Sequence, residues 1–418
     1  MELKEYKLGE LLDVTRGASL SGEYYATEGE HIRLTLGHFD YVNGGFKENT
    51  SKDNLYFTGD VKEEFILNEG DIITPLTEQT FGLIGSTAMI PESGKYIQSQ
   101  DIGLVKCNEA LLYPGFCYYL LPTQLVKNQL SAGAQQTSIR HTSPDKIKDC
   151  KVFIPSLSEQ KKIAQLLSSI DQKISINRAI NQNLEALAKQ LYDYWFVQFD
   201  FPNEEGKPYK TSGGAMVWNE ELKREIPDGW ENGVFSDIAN ITMGQSPDGS
   251  SYNEAGEGTI FYQGSTDFGL RFPSVRMFTT SPSRLAKQGD ILMSVRAPVG
   301  AVNIANTDCC IGRGLSAINS KIGSITYIYY VIHYLKVRFD SLNTAGTTFG
   351  SITKDELFNL PVVIPSNDVI ERFEAICKPI FEKQMEVGFE IESLTKQRDE
   401  LLPLLMNGQV SLNSNFSK

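Results

Sequence analysis

The sequence predicts a mixed α/β (α+β) protein with two similar domains, each followed by one long helix. Three observations support this fold class. Related segments recur in the same order in both halves, short β-branched runs alternate with Gly, Asn and Pro turns, and a heptad-patterned stretch follows each repeat. A period of about 200 residues is too long for a solenoid repeat and indicates a duplicated domain.

The clearest landmarks of the repeat are two segments that end the halves. SAGAQQTSIRHTSPDKIKDCKVFIP (131–155) matches TAGTTFGSITKDELFNLPVVIP (344–365). Earlier matches pair Gly70-Asp71-Ile72 with Gly289-Asp290-Ile291, Tyr118-Tyr119 with Tyr329-Tyr330, and Gly17 and Ser19 with Gly244 and Ser246. We therefore place domain 1 at residues 1–155 and domain 2 at residues 231–365.

Short elements are expected within domain 1. FILNEGDIITP has a strand after a Gly-Asp turn, and KVFIP is a short strand that Pro155 ends. GFCYYLLPTQLVKNQL (115–130) has one aromatic and aliphatic face, which predicts a helix. This mixture is typical of a twisted sheet with helices.

Residues 156–198 predict a first long helix. Ser158 followed by Glu159 fits a helix N-cap, and no proline or glycine occurs from there to about Phe196. Apolar residues recur at the d positions Leu166, Ile180, Leu187 and Tyr194. The a positions are Ile163, Ile170, Asn177, Leu184 and Leu191, where Asn177 can fix the register of a coiled coil.

A second long helix is predicted at residues 366–410, followed by a tail at 411–418. The same offset gives the a positions Phe373, Ile380, Val387, Leu394 and Leu401. Pro379 should kink this helix or begin a new segment, and Pro403 should mark its end. The weaker d positions Lys383, Glu390 and Gln397 indicate a less regular coiled coil in the C-terminal half.

A polar, turn-rich connector joins the two halves at residues 199–230, and its Trp218 should pack on a neighbour. A helix of ~40 residues is about 60 Å long. The two helices can therefore pair as an antiparallel coiled coil, with a pseudo-two-fold axis and a domain at each end. Duplex DNA is a long, roughly two-fold ligand that suits this arrangement, since its major grooves recur every ~34 Å on one face.

The charge alone argues against such a ligand, because the net charge is −13 and phosphate contacts require Lys and Arg. DNA meets a local face, however, and residues 226–365 carry several arginines. They are Arg271, Arg276, Arg284, Arg296, Arg313 and Arg338. Whether these arginines share one face is open at this stage.

The remaining composition narrows the class of protein. No apolar run approaches the ~18 residues of a membrane span, and the N-terminus lacks the apolar core of a signal peptide. We therefore expect a cytoplasmic protein without a membrane partner. The six cysteines form no CxxC pair and the four histidines are scattered, so we expect reduced thiols and no metal site.

With these motifs the sequence resembles the DNA specificity subunit of type I restriction–modification systems. The resemblance rests on the paired segments 131–155 and 344–365, the two Gly-Asp-Ile turns, and the connector FPNEEGKPYKTSGGAMVW with IPDGW after it. It covers essentially the whole chain. It implies a prokaryotic protein with two target recognition domains, each reading one half of a bipartite, asymmetric double-stranded DNA target.

The resemblance also implies partners. The helices would set the spacer between the half-sites and dock two methyltransferase (modification) subunits, and restriction/translocase subunits would join the complex. The a positions above would carry this coiled coil and docking role. No cofactor would bind this chain, because S-adenosylmethionine, ATP and Mg would belong to the partner subunits.

Catalytic motifs are absent from the sequence. It has neither the Pro-Pro pair of an amino-methyltransferase nor a GxxxxGK[ST] P-loop. Glu159 and Lys161 form one E-x-K at a helix start, where capping explains it. We therefore expect a non-catalytic recognition subunit. Two alternatives stay open: a coiled-coil scaffold that does not read DNA, and a divergent DNA methyltransferase.

Candidate DNA-binding residues were chosen from polar loops that differ between the two copies. Arg, Asn, Gln, Ser and Thr read base edges, usually from loops on a rigid scaffold. The candidates in domain 1 are Arg16, Arg33, His38, Thr77, Gln79, Gln136 and Arg140. The candidates in domain 2 are Gln245, Ser246, Gln263, Ser265, Arg296, Thr348 and Ser351.

Overall fold

The computed structural model describes residues 2–41, 43–78, 82–132, 140–344 and 350–412. The chain divides into two compact units. Unit 1 holds residues 1–174 and 393–418, and unit 2 holds residues 175–392. Each long helix therefore contributes one part to each unit. Among the described residues, no helix has the length and apolar character needed to cross a bilayer.

Domain 1 is built from short strands and helices. Its strands are β1 (Lys4–Lys7), β2 (Leu12–Arg16), β3 (Tyr25–Ala26), β4 (His31–Arg33), β5 (Tyr56–Phe57), β6 (Ile72–Pro75), β7 (Thr77–Glu78), β8 (Ala88–Met89), β9 (Tyr96–Ile97), β10 (Ile102–Cys107), β11 (Arg140–His141) and β12 (Lys151–Ile154). Its helices are α1 (Leu8–Leu11), α2 (Pro114–Leu120), α3 (Gln124–Ala132) and α4 (Pro144–Lys148), and the long helix α5 (Leu157–Tyr192) follows.

The described part of domain 1 has two four-stranded sheets and two separate strand pairs, β1 with β12 and β7 with β11. One sheet has the order β2-β10-β6-β8 with antiparallel neighbours, and the other has the order β3-β5-β4-β9, in which β4 and β9 are parallel. The first and last strands, β1 and β12, pair antiparallel, with Lys4 opposite Ile154. One core of the domain includes Ile163 and Leu167 of α5, so the first helix is part of the domain's packing.

The second half has a hairpin and then domain 2. The strands are β13 (Met216–Asn219), β14 (Arg224–Pro227), β15 (Glu231–Val234), β16 (Ala239–Met243), β17 (Tyr252–Asn253), β18 (Thr259–Tyr262), β19 (Phe278–Thr279), β20 (Leu285–Ala286), β21 (Ile291–Ser294), β22 (Val302–Ile304), β23 (Cys309–Ile311), β24 (Leu315–Ser320) and β25 (Pro361–Ile364). The helices are α6 (Phe235–Ile238), α7 (Ile325–Thr344), α8 (Lys354–Phe358) and the long α9 (Asn367–Met406).

The described strands of domain 2 follow the order of domain 1, with one additional strand, β20, at the edge of the second sheet. Its sheet β16-β24-β21-β22 corresponds to β2-β10-β6-β8. A parallel pair, β18 and β23, corresponds to β4 and β9, and the antiparallel pair β15 and β25 corresponds to β1 and β12. The predicted mixture of strands and helices is confirmed.

The two Gly-Asp-Ile turns have the same geometry. Gly70 and Gly289 have φ angles of 84° and 89°, which glycine adopts without a steric penalty. The carboxylates of Asp71 and Asp290 each accept a hydrogen bond from the backbone N–H three residues earlier, at 2.9 and 2.8 Å. Each turn sets the direction in which the next strand, β6 or β21, begins. This explains why the Gly-Asp-Ile sequence occurs in both copies.

The helix predicted at residues 115–130 is divided in two. α2 ends at Leu120 and α3 begins at Gln124, with Pro122 between them. Proline lacks an N–H and its ring clashes with the preceding turn, so it interrupts a helix here. Domain 2 has no proline at this place, and α7 is continuous over Ile325–Thr344.

Both long helices exist. α5 ends in a π-helical turn, Asp193–Val197, and α9 continues without a break through Pro379 and Pro403. Of the two alternatives predicted for Pro379, a new segment is therefore excluded and a kink stays a prediction, and the prediction that the helix ends at Pro403 was wrong. Both prolines are exposed, so the carbonyl that loses its helical partner can bond to water.

The heptad period was predicted correctly, but the second buried position of each heptad is e and not d. The d residues Ile180, Leu187 and Tyr194 are exposed, with Leu187 at 52%. The residues that follow them in α5, Asn181 and Ala188, are buried. α9 has the same frame, because Ile376 is exposed while Cys377, Gln384 and Leu405 are buried.

Within unit 2 the two helices run antiparallel. Asn177 of α5 donates a hydrogen bond to Glu390 of α9 at 2.8 Å. Further along α5, Glu185 accepts a hydrogen bond from Gln384 at 2.9 Å. In unit 1, the two helices meet through Asp171 and Arg398, whose carboxylate and guanidinium are 3.0 Å apart.

The connector is structured, but its tryptophan is not packed as predicted. β13 and β14 form a hairpin in which Trp218 is 57% exposed. The buried tryptophan is Trp230, whose ring stacks on Phe201 at 5.0 Å. Val217, the neighbour of Trp218 on the opposite face of β13, is 46% exposed, so neither face of the strand is covered at this point.

The close approach of Gly244 to a neighbouring turn gives a test of the fold. A Cβ at this position would lie 2.2 Å from the carbonyl oxygen of Gly312, which is backbone and cannot rotate away. We expect Gly244→Ala to lower the free energy of unfolding by ~1–3 kcal/mol, as overpacking does. Urea unfolding measures this loss.

Gly249→Ala is the matched control, because a Cβ at Gly249 would have no atom within 4 Å. Equal losses of stability in the two variants would contradict the steric explanation.

Candidate nucleic-acid interface

A polar cleft opens at one side of domain 2. Its volume is about 390 Å³, and among the described residues its lining includes two arginines, Arg296 and Arg313, and no carboxylate. The remaining lining residues are Gln263, Gly264, Ser265, Thr266, Ser294, Ala297 and Gly314. The structure therefore brings together three residues predicted from sequence, Gln263, Ser265 and Arg296.

The loop that carries Gln263 and Ser265 is held by one buried carboxylate. Asp267 accepts a hydrogen bond from the backbone N–H of Gln263 at 2.9 Å and one from Arg276 Nε at 2.9 Å. Because the ion pair with Arg276 neutralises this buried carboxylate, the cleft keeps its positive character. The side chain of Gln263 is exposed and faces the cleft.

Arg296 comes from the end of strand β21. The Ser294 hydroxyl donates a hydrogen bond to the Arg296 carbonyl at 2.6 Å, and Arg296 also forms a backbone bridge with Ser351. These contacts fix the backbone of Arg296 and leave its side chain exposed. A guanidinium held in this way can bind phosphate or the O6 and N7 atoms of guanine.

Arg313 was not among the predicted site residues. Its backbone N–H and its Nε atom each lie 3.3 Å from the Ser246 hydroxyl oxygen, which accepts from both. Ser246 was predicted, and it contributes here by orienting an arginine. In the sequence, the two glycines that flank Arg313 are the feature that could have drawn attention to it. In the structure, a Cβ at Gly312 or Gly314 would lie 3.1 or 2.7 Å from the Gln263 carbonyl oxygen, so both positions approach the Gln263 loop closely.

The other candidates of domain 2 lie nearby or outside the described residues. Gln245 is exposed, and its carbonyl accepts a hydrogen bond from the Ser283 hydroxyl. Ser351 is exposed beside Arg296. Thr348 lies outside the described residues.

Thr77 of domain 1 takes the position that Arg296 has in domain 2. Thr77 pairs with His141 in the strand pair β7 and β11, as Arg296 pairs with Ser351. Thr77 is buried, so this position presents a different surface in domain 1. Arg16 is exposed at the end of β2.

Three further candidates of domain 1 can be described only in part. Arg140 lies in β11, opposite Glu78, and its side chain is outside the described part of the chain. Gln79 and Gln136 are also outside the described residues.

Arg33 and His38 were predicted to bind DNA, but both are buried inside domain 1. Arg33 is 7% exposed; its guanidinium donates to the Asn54 carbonyl at 3.0 Å and stacks on Tyr25 at 3.7 Å. His38 is 2% exposed, and its Nδ1 accepts a hydrogen bond from the Thr35 backbone N–H at 3.0 Å. Both side chains hold the fold and are excluded from the interface proposed below.

The a positions of the helices also have a packing role. Ile163, Ile170, Asn177, Phe373 and Val387 are buried, and Leu184, Leu191, Ile380, Leu394 and Leu401 are half-buried. Ile163 and Leu401 pack in a core of unit 1, and Leu191, Phe373 and Ile380 pack in a core of unit 2. The docking role of the a positions stays a prediction. The described residues include no group of three His, Cys, Asp or Glu side chains placed to hold a metal ion.

The burial of His38 predicts a pH dependence of stability. Burial is the largest cause and lowers the pKa of His38 to about 4 from an ordinary value of 6.5, partly offset by the contact of Nδ1 with the Thr35 carbonyl oxygen at 3.3 Å. The unfolded chain binds this proton more readily. The stability contributed by the neutral ring is therefore complete above about pH 6.5 and is lost as the pH falls towards 4, by up to ~3 kcal/mol.

Urea unfolding at pH 7 and pH 4.5 measures this contribution. We expect His38→Asn to reduce the loss of stability between the two pH values, and the exposed His141→Asn to leave it unchanged. Identical losses for wild type and His38→Asn would contradict the assignment.

Comparisons with known proteins agree with the geometry. The family model for the type I restriction modification DNA specificity domain matches residues 1–186 and 227–371. A Methanocaldococcus jannaschii protein named as the specificity subunit of a type I restriction enzyme, MjaX, is 31% identical over 86% of this chain and 84% of its own length. The MjaIX specificity subunit of the same organism is 27% identical over 71% of this chain and 68% of its own.

A solved structure shares the fold. The crystal structure of a type I restriction–modification S subunit from M. genitalium covers 97% of this chain and 96% of its own, with a TM-score of 0.61 and 17% identity. This likeness concerns the fold alone. From the match of its two halves to the family model, the chain belongs to the family of type I restriction–modification DNA specificity subunits, which recognise the DNA target.

Proposed function

We propose that this chain reads a bipartite, asymmetric DNA sequence, with domain 1 and domain 2 each reading one half. The observation that carries the proposal is the pair of matching sheets with different polar groups at corresponding strand ends. Thr77 and Arg296 occupy the same position in the two copies, next to His141 and Ser351. A shared scaffold with different polar groups is suited to two unlike half-sites.

We further propose that the two halves arose by duplication and that α5 and α9 form the spacer between them. Support comes from the repeated strand order and from the antiparallel contacts of the helices within unit 2. A paired helix resists bending better than a single one. It is therefore a suitable element for keeping two half-sites at a set distance.

The cleft of domain 2 supports a role in reading bases. Arg296 and Arg313 can each donate two parallel hydrogen bonds to guanine, and Gln263 can pair with adenine. The acidic net charge does not oppose this role, because the lining residues that the structure describes include two arginines and no carboxylate. Local charge decides whether a phosphate or base edge is attracted.

The partners are also part of the proposal. The chain would not catalyse; methyltransferase and restriction/translocase subunits would carry the chemistry, together with S-adenosylmethionine, ATP and Mg. An apolar row on α5, outside the buried seam, is suited to docking one of these subunits. It contains Ile176, Ile180, Leu187 and Tyr194, with exposures from 37 to 57%. Exposed apolar side chains in a row are typical of protein contacts.

Exchange of one domain tests the proposal. Residues 1–155 are replaced by the corresponding domain of another specificity subunit, and methylated sites are mapped in cells that also carry the methyltransferase subunits. We expect one half of the methylated sequence to change while the other half and the spacer remain. The unchanged chain is the control. A chimera that changes both halves, or neither half, would contradict the proposal.

The arginines of the cleft can be tested separately. Arg296→Ala and Arg313→Ala should each relax the choice of base at one position of the domain 2 half-site, by ~1–3 kcal/mol of discrimination. Binding to oligonucleotides substituted at each position measures this. Arg284→Ala is the control, since Arg284 is also exposed but does not line the cleft. A uniform loss of affinity for all sequences would indicate phosphate contacts and would contradict base reading.

A further inference from the structure

Two carboxylates of α5, Asp171 and Glu185, each meet both the other long helix and the domain of their own unit. In unit 2, Glu185 Oε2 accepts hydrogen bonds from Gln384 of α9 at 2.9 Å and from Arg271 of domain 2 at 3.2 Å. In unit 1, Asp171 accepts from Arg398 of α9 at 3.0 Å and from the Tyr119 hydroxyl of domain 1 at 2.6 Å. Three elements meet at one carboxylate in each unit.

The two junctions have the same helical register. Asp171 and Glu185 are 14 residues apart on α5 (185 − 171), and Gln384 and Arg398 are 14 residues apart on α9 (398 − 384). Fourteen residues are two heptads, so the side chains lie on one face of each helix. The pairing of Asp171 with Arg398 and of Glu185 with Gln384 therefore repeats one geometry.

The arginine of the unit 2 junction is buried, and the Glu185 side chain is 32% exposed. Arg271 is 7% exposed, its guanidinium lies 4.6 Å from the centre of the Phe381 ring, and it also donates to the Tyr329 hydroxyl at 3.4 Å. A buried guanidinium depends strongly on its carboxylate, since desolvation otherwise disfavours the charge. Nε and Nη2 of Arg271 are buried without a hydrogen-bond partner in the described part of the chain, which increases its dependence on Glu185.

These contacts tolerate little movement. A spacer longer by one base pair would require a shift of ~3.4 Å along the duplex and a rotation of about 35°. A hydrogen bond of 3.2 Å is lost after a shift of that size, because it weakens beyond about 3.2 Å and does not exist at 3.6 Å. A domain tied to α5 in this way cannot adjust to a different spacer while its junction is intact.

We propose that Glu185 and Asp171, with Arg271 and Tyr119, are positioning residues that make the protein selective for one spacer length. This inference rests on the proposed function, because it assumes two half-sites separated by a spacer. The residues do not touch DNA. They hold each domain in one orientation on the helix pair, and selectivity for the spacer follows from that orientation.

A library of DNA sites with spacers from two base pairs shorter to two longer tests the inference. The complex with its methyltransferase subunits is prepared with wild type, Glu185→Gln or Tyr119→Phe, and methylation is read by sequencing. We expect each variant to keep the bases of both half-sites. Its preference for the native spacer over neighbours one base pair away should fall about tenfold, which corresponds to ~1.4 kcal/mol.

The control removes an exposed ion pair of domain 2. Asp308 lies 2.9 Å from Lys287, away from both junctions, and Asp308→Asn should leave the spacer preference unchanged. Tyr119→Phe removes only the hydroxyl that donates to Asp171 and keeps the ring. It therefore tests the positioning role even if the Glu185→Gln chain fails to assemble with the methyltransferase subunits. A native preference in Tyr119→Phe, or altered half-site bases in either variant, would overturn the inference.

The wild-type complex separates the two hypotheses. If it methylates sites that are not bipartite, the proposed function fails. If it methylates one bipartite sequence with one spacer, and both variants do the same, only the positioning role fails.

Discussion

The buried seam of the two long helices is the constraint on which the rest of the structure depends. Its side chains recur alternately three and four residues apart, and at the helix ends they continue into the cores of the domains. In unit 1, Ile163 and Leu167 of α5 and Leu405 of α9 belong to a core of domain 1. In unit 2, Trp195 of the π-helical turn after α5 and Phe373 of α9 belong to a core of domain 2. The helices are therefore part of the folding unit of each domain.

Polar groups in the seam explain how an otherwise apolar contact keeps one register. Asn177 and Gln384 are buried, and each bonds to a carboxylate of the opposite helix, Glu390 or Glu185. Leucine in their place would pack well in several registers, because apolar contact is not directional. A buried amide is satisfied in one register only, and single polar seam residues are known to select it at some cost in stability. The junctions at Asp171 and Glu185 extend the same principle from the helices to the domains.

Much of this architecture could be predicted from the sequence because the repeat and the heptad period are properties of residue order. The frame of the heptad was harder. Leu187 and Ala188 are neighbours, and only the position of the partner helix decides which of them is buried. The apolar Leu187 was preferred on hydropathy, but the small Ala188 allows the closer approach to the core. Trp218 was misjudged because hydropathy alone does not show whether a strand is covered: Val217 and Trp218, on opposite faces of β13, are both exposed.

In the candidate site, too, the local sequence indicated some residues, while others depended on tertiary contacts. Loop position and residue type identified Gln263, Ser265 and Arg296, which line the cleft. Arg33 and His38 are also polar residues in predicted loops. However, Arg33 stacks on Tyr25 and His38 is buried, and both facts depend on tertiary contacts that the local sequence does not show. Arg313 was missed because its significance depends on Ser246, which is distant in sequence and hydrogen-bonds to its Nε.

The positions of the arginines show how an acidic protein can still have a locally basic surface. Of the six arginines of domain 2, Arg271 and Arg276 are each paired with a carboxylate, Glu185 or Asp267, and so attract no ligand. Arg296 and Arg313 line a cleft whose described lining residues include no carboxylate. If DNA binds at this cleft as proposed, the surplus of acidic residues elsewhere would reduce non-specific attachment to the DNA backbone, because that attachment follows overall charge. Binding would then depend on the few contacts at the cleft, which would favour discrimination between sequences over affinity for any duplex.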